Sequence, residues 1–169
     1  MKNQKSLTNK GFSLVELIIV VAIMAILIGV LAPQYLRYVE KSRLQKDNTA
    51  MSEIANVIKM SSADEDIIGE INNAGAAGLT YNFTASGGNL VLATPTAPKL
   101  NAELERTLGT LTDIKLTSTT YGKASAKPAI EVTVDSSSSV VKVVYKNFRR
   151  TPDADPSDVT DGTGGGDGE

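Results

Sequence analysis

The sequence contains no cysteine and no histidine among its 169 residues. Without cysteine the chain has no disulfide bonds and no thiol catalysis, and without histidine it lacks the usual general base and the usual transition-metal ligand. A phosphate-binding glycine loop and a serine in an elbow motif are also missing. We therefore expect neither an enzyme nor a cofactor site.

The charge of the chain is unevenly distributed. It has 17 basic and 19 acidic residues, a formal net charge of −2. Residues 151–169 carry six acidic residues and no basic one, so removing that −6 leaves about +4 for residues 1–150. A balance of this size does not indicate a nucleic-acid partner. The stretch from about 60 to 150 is long enough for one small domain but not for two.

The N-terminus carries the strongest pattern. Residues 1–11 contain Lys2, Lys5 and Lys10 and no acidic residue, and an uninterrupted apolar run extends from Leu17 to Ala32. Glu16 stands directly before that run. Placing a carboxylate beside a segment that is apolar enough to span a membrane costs free energy. The cost is about 2.5–3.5 kcal/mol for a charge at the centre of a membrane-spanning helix. Its presence therefore calls for a specific use.

Two common kinds of segment account for this pattern less well. A secretory signal peptide has its small-residue cleavage site after the apolar run, whereas here the run is followed by Pro33-Gln34-Tyr35. An ordinary single-pass anchor is compatible with the length, because about 20 residues cross the hydrocarbon core. It gives no reason for Glu16 or for the Gly11-Phe12 pair.

The segment Lys10-Gly11-Phe12-Ser13-Leu14-Val15-Glu16-Leu17 resembles the N-terminus of a type IV prepilin. The resemblance implies cleavage between Gly11 and Phe12 by a prepilin peptidase, N-methylation of Phe12, and a mature chain of 169 − 11 = 158 residues. It also implies that Glu16 pairs with the N-terminal amine of a neighbouring subunit during assembly. The absence of cysteine favours a Gram-positive, clostridial type of major pilin.

One long helix is expected from Phe12 to about Ser62. Residues 12–36 form its apolar half, and residues 37–62 form an amphipathic half with Met51, Ile54, Ala55 and Ile58 on one face. Gly29 and Pro33 interrupt the apolar half, since proline removes a donor and crowds the carbonyl four residues back. We expect a kink or unwound stretch there, which the pilin resemblance places in the assembled filament.

Residues 63–150 are predicted to form a globular domain. The chain after Ser62 predicts a loop-rich connection, followed by strands at 79–83 and 90–93 and a short helix at 102–108 capped by Asn101. Alternation predicts a hairpin of residues 129–135 and 140–148, with a further strand at 114–117. The expected fold class is α+β, a long N-terminal helix on an antiparallel sheet of three to five strands. The pilin resemblance implies the same architecture.

The tail, residues 151–169, is predicted to be a flexible, acidic, glycine-rich segment. Its carboxylates make weak calcium candidates of Asp153, Asp155, Asp158 and Asp161, because hard cations prefer oxygen ligands. The run does not match an EF-hand loop, so a solvated tail is the preferred interpretation and no metal site is assigned.

The function implied by the resemblance is that of a structural subunit that polymerises into a type IV pilus for adhesion, motility or DNA uptake. Its partners would be other copies of the chain, the prepilin peptidase, the pilus assembly machinery and the cytoplasmic membrane, with no specific nucleic acid. The chain would span the cytoplasmic membrane once, N-terminus inside, before it enters an extracellular filament. The alternatives are a pseudopilin of a type II secretion or competence system, and an anchored adhesin or enzyme that never polymerises.

Overall fold

The computed structural model describes residues 11–135 and 140–160. The chain divides into two compact units, one ending at Tyr38 and one beginning at Val39. The helix α1 (Leu14–Ser61) has residues in both. Its bounds confirm the predicted long helix to within two residues at each end. Residues 1–10, most of the predicted leader, lie outside the described residues.

In the second unit, α1 packs on the core through the predicted stripe. Met51, Ile54, Ala55 and Ile58 are each at most 1% exposed. They recur at helical spacing, so one face of α1 enters the core while the opposite face meets solvent. Leu44 extends the same face by two turns towards the N-terminus and is also fully buried.

A six-stranded antiparallel sheet forms the other layer, in the order β3-β2-β1-β4-β5-β6. Its strands are β1 (Leu79–Ser86), β2 (Asn89–Ala93), β3 (Lys115–Leu116), β4 (Ala129–Val134), β5 (Val141–Phe148) and β6 (Ser157–Thr160). The fold is therefore α+β with a helix packed on an antiparallel sheet, as predicted. The predicted strand number of three to five was too low.

The predicted hairpin corresponds to β4 and β5. Ile130 pairs with Tyr145, and Val132 pairs with Val143. All four side chains belong to the buried core, because residues two apart on a strand share one face. Among the other tyrosines, Tyr81 is buried, whereas Tyr35 and Tyr38 are 67% and 74% exposed.

The prediction of a loop after Ser62 was wrong, because helix α2 (Glu65–Asn73) occupies most of that segment. Asp64 caps it by accepting a hydrogen bond from the Asp66 amide at 2.9 Å. Ile67 and Ile71, one turn apart, are buried against the core. Burial of these two side chains outweighs the low helix propensity of the surrounding glycine and asparagine residues.

Helix α3 (Pro98–Leu108) begins four residues earlier than predicted, with Pro98 in its first turn. A carboxylate from α2 caps it: Glu70 accepts hydrogen bonds from the Lys99 amide at 2.9 Å and the Leu100 amide at 3.0 Å. Asn101 is therefore not the cap. It lies inside α3 and accepts a hydrogen bond from the Tyr81 hydroxyl at 2.8 Å.

The tail prediction was wrong for Ser157–Thr160, because these residues form β6. Ser157 pairs with Phe148, and Val159 pairs with Tyr145. Val159 is partly buried and packs against the core, which gives this polar segment one apolar anchor. Residues 161–169 lie outside the described residues, and with them the rest of the predicted tail.

Candidate functional site

The first turn of α1 contains the carboxylate that the sequence singles out. Ser13 immediately precedes the helix, and its backbone amide donates a hydrogen bond to Glu16 Oε2 at 2.9 Å. A glutamate at the third helical position that accepts from the capping residue forms half of a capping box. A negative charge is also favourable at a helix N-terminus. In the single chain, Glu16 is thus satisfied within its own helix.

The first unit presents a continuous apolar surface. Fourteen large apolar side chains between Leu14 and Leu31 are each more than half exposed, and Phe12 is 93% exposed. Covering a side chain of this kind stabilises by about 1 kcal/mol or more, so the whole surface represents on the order of 15 kcal/mol. Among the described helices, α1 is the one long and apolar enough to cross a membrane.

Gly29 and Pro33 lie inside α1, and the helix is continuous through both. A Cβ added at Gly29 would meet nothing within 4 Å, so no close contact among the described residues requires a glycine there. The expected unwinding concerns the assembled filament and stays a prediction.

A second polar cluster, which sequence reasoning missed, lies in the second unit. Glu40 and Asp47 are seven residues apart on α1, on the same face as Leu44 and Met51. Both carboxylates therefore face the segment that contains the short helix α4 (Thr119–Lys123). The signal available in the sequence was this spacing, which continues the apolar stripe with two acidic residues.

Asp47 is only 1% exposed and accepts two backbone hydrogen bonds, from the Thr117 amide at 3.0 Å and the Ser118 amide at 2.7 Å. Burial raises the pKa of Asp47 above its usual value, although the bonds from Thr117 and Ser118 oppose the rise. The amides of Thr117 and Ser118 lie between β3 and α4. The Asp47 carboxylate accepts the hydrogen bonds that a neighbouring strand or helix would otherwise accept from them.

Glu40 is partly buried beside Asp47. Its Oε1 accepts hydrogen bonds from the Ser118 hydroxyl at 2.7 Å, the Thr120 amide at 2.8 Å and the Thr120 hydroxyl at 2.7 Å. Burial alone would raise the pKa of Glu40, but these donors and the Thr119 hydroxyl outweigh it and lower the pKa to about 2. Glu40 is therefore ionised at neutral pH, and it fixes α1 to the first turn of α4.

A third set of hydrogen bonds links α1 to the chain after β5. Asn48 Oδ1 accepts from the Tyr121 hydroxyl at 2.7 Å, and Asn48 Nδ2 donates to the Arg149 carbonyl at 2.9 Å. The Arg149 amide in turn donates to the Tyr121 hydroxyl at 3.1 Å. Tyr121 is fully buried, and burial raises its pKa to about 12.

The weak calcium candidates do not converge. Asp158 accepts from Lys146 Nζ and from the Asn147 amide, both at 3.1 Å, and Lys146 also contacts Glu131 at 3.1 Å. Within residues 11–135 and 140–160, no group of three or more acidic side chains is placed to hold a metal ion. Asp161, the last candidate, lies outside the described residues.

The comparison with known proteins concerns the N-terminal residues of the chain, which include the first turn of α1. Residues 6–32 match the family model of the prokaryotic N-terminal methylation motif. The matched stretch includes Gly11, Phe12, Glu16 and Gly29, and it ends one residue before Pro33. No curated protein and no solved structure matches the chain. The matched family is a structural, pilin-type one that is not known as enzymatic, and the match supports a type IV pilin-like prepilin.

Proposed function

We propose that this chain is the structural subunit of a type IV pilus, which polymerises through residues 12–36 and serves adhesion, motility or DNA uptake. The observation that carries the proposal is the exposed apolar surface of α1 directly behind a methylation motif. Nothing in residues 11–135 and 140–160 of a single chain covers that surface, so a membrane must cover it first and neighbouring subunits later. The clostridial type of major pilin remains our preferred subtype.

Processing is proposed to take place at the Gly11–Phe12 bond. The prepilin peptidase would remove residues 1–11 and methylate the new amine of Phe12, as the motif implies. The exposed position of Phe12 agrees with access by an enzyme. After the cut, the chain begins two residues before the first helical residue, Leu14.

Assembly is proposed to depend on Glu16. A subunit that enters the filament buries its carboxylate among apolar helices, and breaking a buried ion pair costs about 3–5 kcal/mol. The Phe12 amine of a neighbouring subunit would supply the positive charge. Only the correct axial position then satisfies both charges. The bond from Ser13 to Glu16 keeps the carboxylate satisfied until that partner arrives.

Gly29 and Pro33 are proposed to be the point at which α1 unwinds when the filament forms. Pro33 already removes one helical hydrogen bond, and glycine adds backbone freedom. Before assembly the chain would be held in the cytoplasmic membrane by the same residues, with its leader on the cytoplasmic side. The assembly machinery would then transfer it to the extracellular filament.

A pseudopilin of a type II secretion or competence system is the second candidate, because it carries the same methylation motif. A pilin and a pseudopilin differ in the structure that they assemble. A pilin yields long surface filaments that can be sheared from cells, whereas a pseudopilin forms a short structure that stays within the envelope. Immunogold electron microscopy of cells expressing the chain at its native level distinguishes them.

Mass spectrometry of the N-terminal peptide from a sheared cell-surface fraction tests the processing. We expect a peptide that begins with N-methylated Phe12. If the chain instead still begins at Met1 and is found only in membranes, the protein is an ordinary membrane anchor and the proposal is wrong.

Substitution of Glu16 separates ion pairing from helix capping. Glu16→Gln keeps an acceptor for the Ser13 amide but removes the charge, so it preserves the cap and abolishes the ion pair. We expect normal processing and more than a tenfold loss of sheared filaments, because an unpaired buried amine costs about 3–5 kcal/mol. The control is Glu53→Gln, an exposed acidic residue on the same helix. Wild-type filament levels from Glu16→Gln would show that the carboxylate is only a cap.

A further inference from the structure

The first unit ends in three residues whose chemistry differs from that of the apolar run before them. Tyr35, Arg37 and Tyr38 are all exposed on α1. The remaining tyrosines of the chain, Tyr81, Tyr121 and Tyr145, are buried in the core. The two exposed tyrosines are therefore not core residues, and their position on either side of an arginine calls for another partner.

These residues lie where a membrane that covers the apolar part of α1 would end. The stretch of α1 from Leu14 to Gln34 measures about 31 Å at about 1.5 Å per residue. The hydrocarbon core of a bilayer is about 30 Å thick. A span that begins in the first turn of α1, next to Glu16, therefore reaches the opposite membrane surface at Tyr35.

The three side chains surround the helix and do not form a stripe. Tyr35 and Tyr38 are three residues apart and share one side of α1, whereas Arg37 is turned by about 100° from Tyr38. A single protein partner contacts one face of a helix, as the core of the second unit contacts Met51 and Ile58. Exposed polar groups on several sides fit a medium that encloses the helix.

The chemistry of these side chains matches the headgroup layer of a phospholipid membrane. A tyrosine has an apolar ring and a hydroxyl group that needs a hydrogen-bond partner, so tyrosines are enriched where hydrocarbon meets water. A guanidinium binds phosphate through charge-assisted hydrogen bonds. Arg37 forms no ion pair within residues 11–135 and 140–160, so its charge is available for such a contact.

We propose that Tyr35, Arg37 and Tyr38 form an interfacial anchor that binds the phosphate and ester groups of phospholipid headgroups. The anchor fixes the depth of α1 in the membrane that covers its apolar half before assembly. It lies at the surface opposite the leader. The inference rests on the membrane stage of the proposed function and adds to it the site that holds the outer end of the span.

Site-directed spin labelling of the full chain in phospholipid vesicles tests the anchor. The chain has no cysteine, so Leu36→Cys gives a single labelling site inside the anchor. Ile26→Cys labels the middle of the apolar run, and Met60→Cys labels an exposed position in the second unit. The accessibility of each label to oxygen, which concentrates in hydrocarbon, and to a water-soluble nickel complex gives its depth.

We expect the label at position 26 to be reached by oxygen, the label at position 60 by the nickel complex, and the label at position 36 to lie at the boundary. Replacing all three anchor residues by alanine makes the end of the span apolar. The label at position 36 should then move towards the hydrocarbon by about 3 Å, the rise of two helical residues. Met60→Ala, which removes an exposed large side chain from a later turn of the same helix, should leave its depth unchanged.

Three results would overturn the anchor. The label at position 36 may keep its depth in the alanine variant, or it may be as accessible to the nickel complex as the label at position 60 while the label at position 26 is protected. An accessibility at position 36 that changes with the protein-to-lipid ratio would identify a second copy of the chain as the partner. If the label at position 26 is itself reached by the nickel complex, the chain does not span the membrane, and the membrane stage of the proposed function is wrong together with the anchor.

Discussion

The carboxylate of Glu40 should make the stability of the second unit depend on acid pH. Its pKa is lowered from 4.5 to about 2 in the folded chain. A group with a depressed pKa contributes stability that is fully present above its unfolded pKa and is lost as the pH falls towards its folded pKa. The contribution of Glu40 should therefore be complete above about pH 5 and decline between about pH 5 and pH 2.

The magnitude follows from the shift and from the exposure of the side chain. A shift of this size corresponds to about 3 kcal/mol at about 1.4 kcal/mol per unit. Because Glu40 is only partly buried, solvent screening reduces this figure to about 1–2 kcal/mol. Glu40→Gln, which keeps the shape and one acceptor, should lower the free energy of unfolding by that amount at pH 7 and by much less near pH 2.5.

Urea denaturation of the full chain in detergent, at several pH values between 7 and 2.5, measures this difference. The near-ultraviolet circular dichroism of the buried Tyr81 and Tyr121 reports unfolding of the second unit. Glu53→Gln serves as the control. A difference between wild type and Glu40→Gln that stays constant over the whole pH range would refute the account of Glu40.

Three further predictions concern the packing around α1 and the sheet. Asp47→Ala leaves the amides of Thr117 and Ser118 without an acceptor and should lower the free energy of unfolding by about 2–4 kcal/mol in urea denaturation. Asp47→Asn, which keeps an acceptor, should cost less. Gly78→Ala should lower the melting temperature more than Gly87→Ala. Both glycines have positive φ, but only at Gly78 would the new Cβ collide with the Val132 carbonyl. Thermal denaturation of the two variants measures the difference. Val159→Asp should release β6 and increase amide hydrogen exchange in β5. Lys146→Met, which removes exposed ion pairs, should lower the free energy of unfolding by less than about 1 kcal/mol.

The sequence alone was sufficient wherever a local pattern repeats. The apolar run and the stripe from Met51 to Ile58 predicted α1, because apolar residues that recur with a 3.6-residue period share one face only in a helix. Alternation predicted β4 and β5 in the same way. The methylation motif is likewise contiguous, so the order of residues along the chain is enough to recognise it.

Tertiary structure decided the elements that depend on distant partners. Helix α2 forms because Ile67 and Ile71 find a core, and α3 starts at Pro98 because Glu70, 29 residues before Lys99, caps it. Strand β6 is predictable only once β5 is known to offer a free edge and Lys146 a partner for Asp158.

The polar cluster around Glu40 and Asp47 shows the same limit for candidate sites. The proposed assembly surface could be identified from the sequence, because Phe12, Glu16 and the apolar run are close in the chain. The polar cluster joins Glu40 and Asp47 to Ser118 and Thr120, which lie 71 to 80 residues further along, and nothing in their spacing predicts that they meet. Only the packing of α1 against the segment that contains α4 brings these groups together, because long-range contacts have no local signature in the chain.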